Sequence, residues 1–116
     1  GKIKTKNQNP DLTINISEDA WFGQSIGPYQ HFSKAIYRSI EEGIFIARSA
    51  NKGISAFINP NGQVIKSLDT GESGNIELNF PYFNQTTLFS NYGNKIFFLI
   101  IILYIFLVLI FKKLKI

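Results

Sequence analysis

Leu12-Thr13-Ile14-Asn15-Ile16-Ser17 runs directly into Glu18-Asp19-Ala20-Trp21-Phe22-Gly23 and then into Gln24-Ser25-Ile26-Gly27-Pro28. Leu12, Ile14 and Ile16 alternate with Thr13, Asn15 and Ser17, the period-2 pattern of a strand with one apolar and one polar face. The residues from Gln24 to Gly27 are turn formers, and Pro28 suits the first turn of a helix, where its missing N–H costs nothing. A helix is therefore expected to begin near Pro28. Beyond it Phe32, Ala35, Ile36, Ser39, Ile40 and Gly43 recur at helical spacing, while Lys34, Arg38, Glu41 and Glu42 fall mainly on other faces. Arg38 and Glu42 make an i,i+4 opposite-charge pair, and Gly43 is placed to stop the helix.

Working outward, Ile44-Phe45-Ile46-Ala47 is β-prone, and Ile54, Ala56 and Ile58 alternate with Ser55 and Phe57. Asn59-Pro60-Asn61-Gly62, followed by Gln63-Val64-Ile65, is a strong hairpin signal. Residues 71–74 read as a further turn, and 75–80, where Ile76 and Leu78 alternate, as one more strand. On the amino-terminal side, Lys2 to Pro10 is polar and reads as a solvated lead-in. Strand, helix and then several strands predict an α/β or α+β layer architecture with the helix laid against a sheet.

The 116 residues carry a formal net charge of +4. That surplus does not describe a basic domain, because residues 1–94 hold eight basic and eight acidic groups. The excess is Lys95, Lys112, Lys113 and Lys115, which bracket a wholly apolar run at 96–111. The basic character thus belongs to a membrane flank and argues against a nucleic-acid partner. Sixteen helical residues span about 24 Å at ~1.5 Å each, and snorkelling of the flanking lysines closes the gap to a ~30 Å hydrocarbon core. The alternative, a core helix, would need more protein around it than about 90 residues can supply. Three lysines after the span and one before it place the carboxyl terminus in the cytoplasm by the positive-inside rule. Tyr82, Phe83, Phe89 and Tyr92 among polar residues before the run suit a membrane interface.

With no cysteine, these residues contain no disulfide, thiolate metal site or Cys nucleophile. With no methionine, Gly1 is not a translation start, and the chain is expected to be truncated. His31 is the single histidine and reads as a hydrogen-bonded residue near a helix start rather than a metal ligand. Glu41 and Glu42, about 100° apart on a helix, do not converge on one substrate and read as surface or ion-pair residues. Gly71-Glu72-Ser73-Gly74 lacks phosphate-loop spacing, and the triplets at Asn15 and Asn84 are short patterns expected by chance. Trp21 stands out. It lies between the carboxyl end of a strand and a Gly-containing turn, where α/β folds collect ligands, although a buried core Trp fits the same position. Asp19 beside it is placed to cap the turn or hold a backbone amide.

The string Asn15-Ile16-Ser17-Glu18-Asp19-Ala20-Trp21-Phe22-Gly23, joined to Ser25-Ile26-Gly27-Pro28-Tyr29-Gln30-His31-Phe32, closely resembles the apolipoprotein N-acyltransferases of bacterial envelopes. Arg38-Ser39-Ile40-Glu41 with Gly43, Arg48-Ser49-Ala50-Asn51-Lys52-Gly53-Ile54-Ser55-Ala56 and the Asn59-Pro60-Asn61-Gly62 turn extend the resemblance. It is dense from Leu12 to about Leu68 and looser beyond. It implies an α/β fold: residues 1–80 as the carboxyl-terminal part of a nitrilase-like αββα sandwich, 81–94 as an interfacial connector, 95–113 as one transmembrane helix and 114–116 as a cytoplasmic tail.

The resemblance further implies a bacterial inner-membrane protein with residues 1–94 periplasmic. Its partners would be a phospholipid acyl donor and a diacylglyceryl-cysteine apolipoprotein, with no cofactor or metal. Acyl transfer would use a Glu-Lys-Cys triad expected upstream of Gly1, so this chain alone would be inactive. Of the residues present, Trp21 would line the substrate cavity, with Phe22 and His31 as further substrate-binding residues. Two other readings are an amidohydrolase of nitrilase type, which would not need the apolar run, and a non-catalytic membrane-anchored remnant.

Overall fold

The computed structural model describes residues 2–4, 8–79, 83 and 85–114. Its elements are β1 (Leu12–Glu18), a 3-10 turn (Ala20–Phe22), α1 (Gly27–Glu42), β2 (Phe45–Asn51), β3 (Ser55–Ile58), β4 (Val64–Leu68), α2 (Leu88–Tyr92) and α3 (Lys95–Lys113). The four strands form one mixed sheet in the order β1-β2-β3-β4. Helices flank the sheet and one long apolar helix follows, the layering of an αββα-like sandwich with a carboxyl-terminal helix.

β1 and β2 are parallel, in register from Leu12 opposite Phe45 to Glu18 opposite Asn51, and α1 is the crossover between them. Parallel neighbours need such a connection because a short turn only joins antiparallel strands. Pro28 sits in the first turn of α1, and Gly43 ends the helix in the left-handed region at φ 62°, where its N–H donates to the Ser39 carbonyl. β2, β3 and β4 then meander antiparallel. The β3–β4 turn is fastened by Asn59, whose Oδ1 accepts from the N–H groups of Asn61 and Gln63 at 3.0 and 2.9 Å. The core is Ala35 of α1 against Ile46, Ile54, Ala56 and Ile58, with Phe32 and Ile36 packed on it.

The structure corrects two sequence expectations and decides two points that the sequence left open. Residues 75–79 form no strand: Ile76 and Leu78 are half-buried, and residues 74–77 run beside Leu12, Ile14 and Phe57 without joining the ladder. Lys2 to Lys4 are not a free lead-in, since Lys4 is buried and the N–H groups of Ile3 and Lys4 donate to Glu42 at 2.6 and 3.2 Å. Of the two readings given for Glu42, the ion pair holds: the residue is fully buried, with its carboxylate 3.8 Å from Arg38 Nη1. Alternation in β1 left open which face the helix covers, and it is the polar face that lies under α1. Thr13, Asn15 and Ser17 are half-buried there, while Ile14 and Ile16 are 69% and 83% exposed on the opposite face.

α3 has 19 residues, about 28 Å at ~1.5 Å each, and none of them is buried: all are exposed except the half-buried Ile96. It is long and apolar enough to cross a membrane, with Lys112 and Lys113 in its last turn, and it supports membrane association through a single pass. Lys6, Phe80, Pro81, Tyr82, Asn84, Lys115 and Ile116, on which parts of the sequence reading fall, lie outside the described residues.

Candidate substrate-binding site

β1 delivers Ser17 and Asp19 to the amino-terminal end of α1, where His31 lies one turn into the helix. The Asp19 N–H continues the strand pairing by donating to the Asn51 carbonyl at 3.0 Å. Its side chain does not cap the 3-10 turn as the sequence suggested. It enters a buried charge network instead. Oδ1 accepts from Ser17 Oγ at 2.7 Å and lies 2.7 Å from His31 Nδ1, and Oδ2 accepts from Arg48 Nη2 at 2.8 Å.

Burial opposes ionisation of Asp19, but the Ser17 hydroxyl, His31 and the Arg48 guanidinium outweigh it and hold the carboxyl below its ordinary range. An ionised carboxylate only accepts, so the proton between Asp19 and His31 belongs to Nδ1, which fixes the imidazole tautomer. Arg48 completes the network with Nη1 donating to Asn15 Oδ1 at 2.6 Å and Nε donating to the Ile54 carbonyl at 3.2 Å. Asn15 and Arg48 are register partners on β1 and β2, which is why the polar face of β1 turns toward α1. Gly53 leaves space for Asp19, because a methyl group there would overlap the carboxylate.

This buried base carries an aromatic series to the surface. The Phe22 ring meets His31 edge-on with centroids 5.9 Å apart, and Trp21 meets Phe22 edge-on at 6.3 Å. Phe22 occupies the space that a side chain at Gly27 would fill. Trp21 is 80% exposed and lies outside the hydrophobic core that these residues form. Next to the turn Glu18 accepts from Asn51 Nδ2 at 2.8 Å and from the Ala20 N–H at 2.9 Å, contacts that lower its carboxyl pKa in that order of weight.

A cavity of about 690 Å³ opens beside the turn, lined by Asp19, Ala20, Gly23, Ser25, Tyr29 and Lys52 among others. Lys52 takes a left-handed φ of 59° in the β2–β3 turn. His31 borders a second hollow of about 230 Å³ under α1, shared with Asn15, Lys34, Arg38 and Arg48. The three residues singled out from sequence are thus joined through ring contacts, with Trp21 outermost and His31 at the root, although Trp21 and Phe22 do not line the larger cavity. Sequence reasoning passed over the positioning role of Arg48. Its signal was a lone cation directly after the apolar run from Ile44 to Ala47.

The sequence pattern of the family described as carbon-nitrogen hydrolase matches residues 2–80. The chain belongs to the carbon-nitrogen hydrolase family. Among curated relatives, the chain is 46% identical to the apolipoprotein N-acyltransferase of Rickettsia bellii over 97% of its own length and 23% of that protein. It is 40% identical to the enzyme of the same name from Rickettsia prowazekii over 93% of the chain and 21% of that protein. The corresponding values for Bradyrhizobium diazoefficiens are 39%, 81% and 18%. The chain therefore spans about a fifth of the length of these relatives.

Proposed function

We propose that this chain is part of an apolipoprotein N-acyltransferase, in which it supplies one wall of the substrate site and a membrane helix. The observation that carries the reading is the similarity of nearly the whole chain, apolar helix included, to relatives bearing that name. The soluble-amidohydrolase reading leaves α3 without a role.

In this reading the nucleophile is a cysteine outside these 116 residues, which contain none. Its thiolate attacks the ester carbonyl of a phospholipid. A thioester forms, and the lysophospholipid leaves as an alcohol after taking up a proton. The amine of a diacylglyceryl-cysteine lipoprotein then attacks the thioester, the amide forms and the thiol is released. Splitting the transfer in two suits a thiolate, which is nucleophilic enough for the ester and a good leaving group from the thioester. The contribution of this chain is the Trp21 turn: a rigid, exposed aromatic wall, continued by Phe22 and His31 and rooted in the Asp19–Arg48 pair, against which an acyl or glyceryl chain packs. Residues 1–94 lie on the periplasmic side and the carboxyl terminus in the cytoplasm, in keeping with Lys112 and Lys113 at the end of α3.

The test is chemical. Incubating the full-length protein with phospholipid labelled in its acyl chain should leave a protein-bound label that neutral hydroxylamine removes and an apolipoprotein acceptor discharges. Absence of a hydroxylamine-labile label overturns the assignment, and a label that water but no lipoprotein amine discharges points to an amidohydrolase.

A further inference from the structure

We propose that α2 is an interfacial foot of the domain: Leu88 and Tyr92 seat in the headgroup and upper acyl region of the bilayer while the rest of α2 is fastened to the carboxyl end of α1. The proposal rests on the reading of α3 as a membrane span. Only Gly93 and Asn94 separate Tyr92 from Lys95, the first residue of α3. Even fully extended, two residues reach about 7 Å, comparable with one ~5–8 Å headgroup layer. With α3 across the bilayer, α2 is therefore held at interface depth.

Which face meets lipid follows from the contacts that occupy the others. Thr87 and Ser90 exchange backbone and side-chain hydrogen bonds in a capping box, and Ser90 is buried. Phe89 lies under the Arg38 guanidinium, 5.9 Å from carbon to ring centroid. The Thr87 hydroxyl donates to the Glu41 carbonyl, and the Gln85 N–H donates to the Gly43 carbonyl at 3.0 Å. The amino-terminal segment closes over the joint: Lys4 Nζ donates to the Gln85 carbonyl and Lys2 Nζ to the Asn91 carbonyl, both at 3.2 Å. Lys4 is buried enough that desolvation lowers its pKa against the pull of Glu42, whose carboxylate holds the Ile3 and Lys4 amides.

Leu88 and Tyr92, one turn apart, remain 72% and 57% exposed. One is apolar and the other carries a polar tip on an apolar ring, which suits a boundary between hydrocarbon and headgroups. The occupant is the lipid bilayer because the chain itself passes from this face into the span. The foot also has a geometric consequence. The Trp21 turn lies at the opposite end of α1, whose sixteen residues extend about 24 Å at ~1.5 Å each. A fastened α2 thus fixes the tilt of α1 and, with it, the height of Trp21 above the membrane.

The experiment places the photoreactive p-benzoylphenylalanine at position 88, 92, 103 or 65, one at a time, in the full-length protein in its native membrane. Position 103 lies within α3, and 65 lies on exposed β4. All four positions are exposed, and protease resistance of the domain verifies that each variant folds. After irradiation, phospholipid adducts are expected at 88, 92 and 103 and not at 65. Adducts at 103 without adducts at 88 and 92 overturn the foot and leave the span standing. No adduct at 103 overturns the span and the foot with it, and equal adducts at 65 and 88 overturn the selective contact.

Discussion

Asp19 and Arg48 face each other across the β1–β2 pair with Oδ2 and Nη2 2.8 Å apart, both side chains buried. A buried ion pair is not by itself a source of net stability, since desolvating two charges cancels most of their attraction. Here every visible contact is directed: Arg48 donates three ways and Asp19 takes three partners. The pair specifies where the turn after β1 sits. Asp19→Ala, which strands a buried guanidinium, is expected to cost about 3–5 kcal/mol. The double variant Asp19→Ala/Arg48→Met should recover part of that loss, because it removes both charges. Thermal unfolding of the four proteins of this cycle in detergent checks the sign of the coupling, and a double variant no more stable than Asp19→Ala refutes it.

The same network predicts an acid-side instability. Asp19 has a folded-state pKa below its unfolded value of ~3.9. A group depressed on folding contributes its stabilisation above the unfolded pKa and loses it as pH falls through the folded one. Unfolding free energy should therefore decline below about pH 4. In Asp19→Asn that part of the decline should be absent. Denaturant titrations at several pH values between neutrality and acid, compared for the two proteins, measure the difference.

Gly53 is a sharper probe of position. Alanine there collides with the Asp19 carboxylate, not with its own backbone, so the damage is to the network rather than to strand geometry. Overpacking of this kind costs about 1–3 kcal/mol. Gly53→Ala is expected to lower stability by that order and to shift the His31 ring resonances, since His31 shares the displaced carboxylate. Unchanged imidazole chemical shifts would show that the collision is relieved elsewhere.

Much of this was legible in the sequence because it is local. Pro28 and Gly43 bound α1, Asn59 to Gly62 form the β3–β4 turn, and the run at 96–111 lies within α3. What was not legible depends on residues far apart in the chain. The burial of Glu42 follows from Ile3 and Lys4, some forty residues away, docking onto it. The facing of β1, with its polar side inward, follows from Arg48 on a neighbouring strand needing Asn15 and Asp19. Alternation reveals two faces but not which one a helix covers. The strand expected at 75–80 failed because alternation of Ile76 and Leu78 serves equally well to pack an unpaired segment against a sheet.

Glu42 offers a test of the amino-terminal clasp. Removing its carboxylate in Glu42→Ala deprives the buried Lys4 N–H of its acceptor, a loss of about 1–3 kcal/mol. Native-state hydrogen exchange should show the Ile3 and Lys4 amides losing protection in Glu42→Ala while the amides of β2 and β3 keep theirs. Glu42→Gln retains one acceptor oxygen and should lie between. Uniform loss of protection across the sheet would mean that Glu42 supports the whole core and not the clasp.

Trp21 separates function from folding most cleanly. A side chain 80% exposed, whose one ring contact among the described residues is edge-on to Phe22, has little stability to lose, and surface truncations usually stay within about 0.5 kcal/mol. If the turn is a substrate wall, Trp21→Ala in the full-length protein should lower acyl transfer by more than about tenfold, equivalent to ~1.4 kcal/mol of transition-state stabilisation. The amount of membrane-inserted protein and its melting temperature should be unchanged. Trp21→Phe, which keeps a ring on the turn, should retain more activity than the alanine variant. Near-normal turnover in Trp21→Ala would remove this residue from the site, and a parallel fall in activity and protein level would assign it to folding instead.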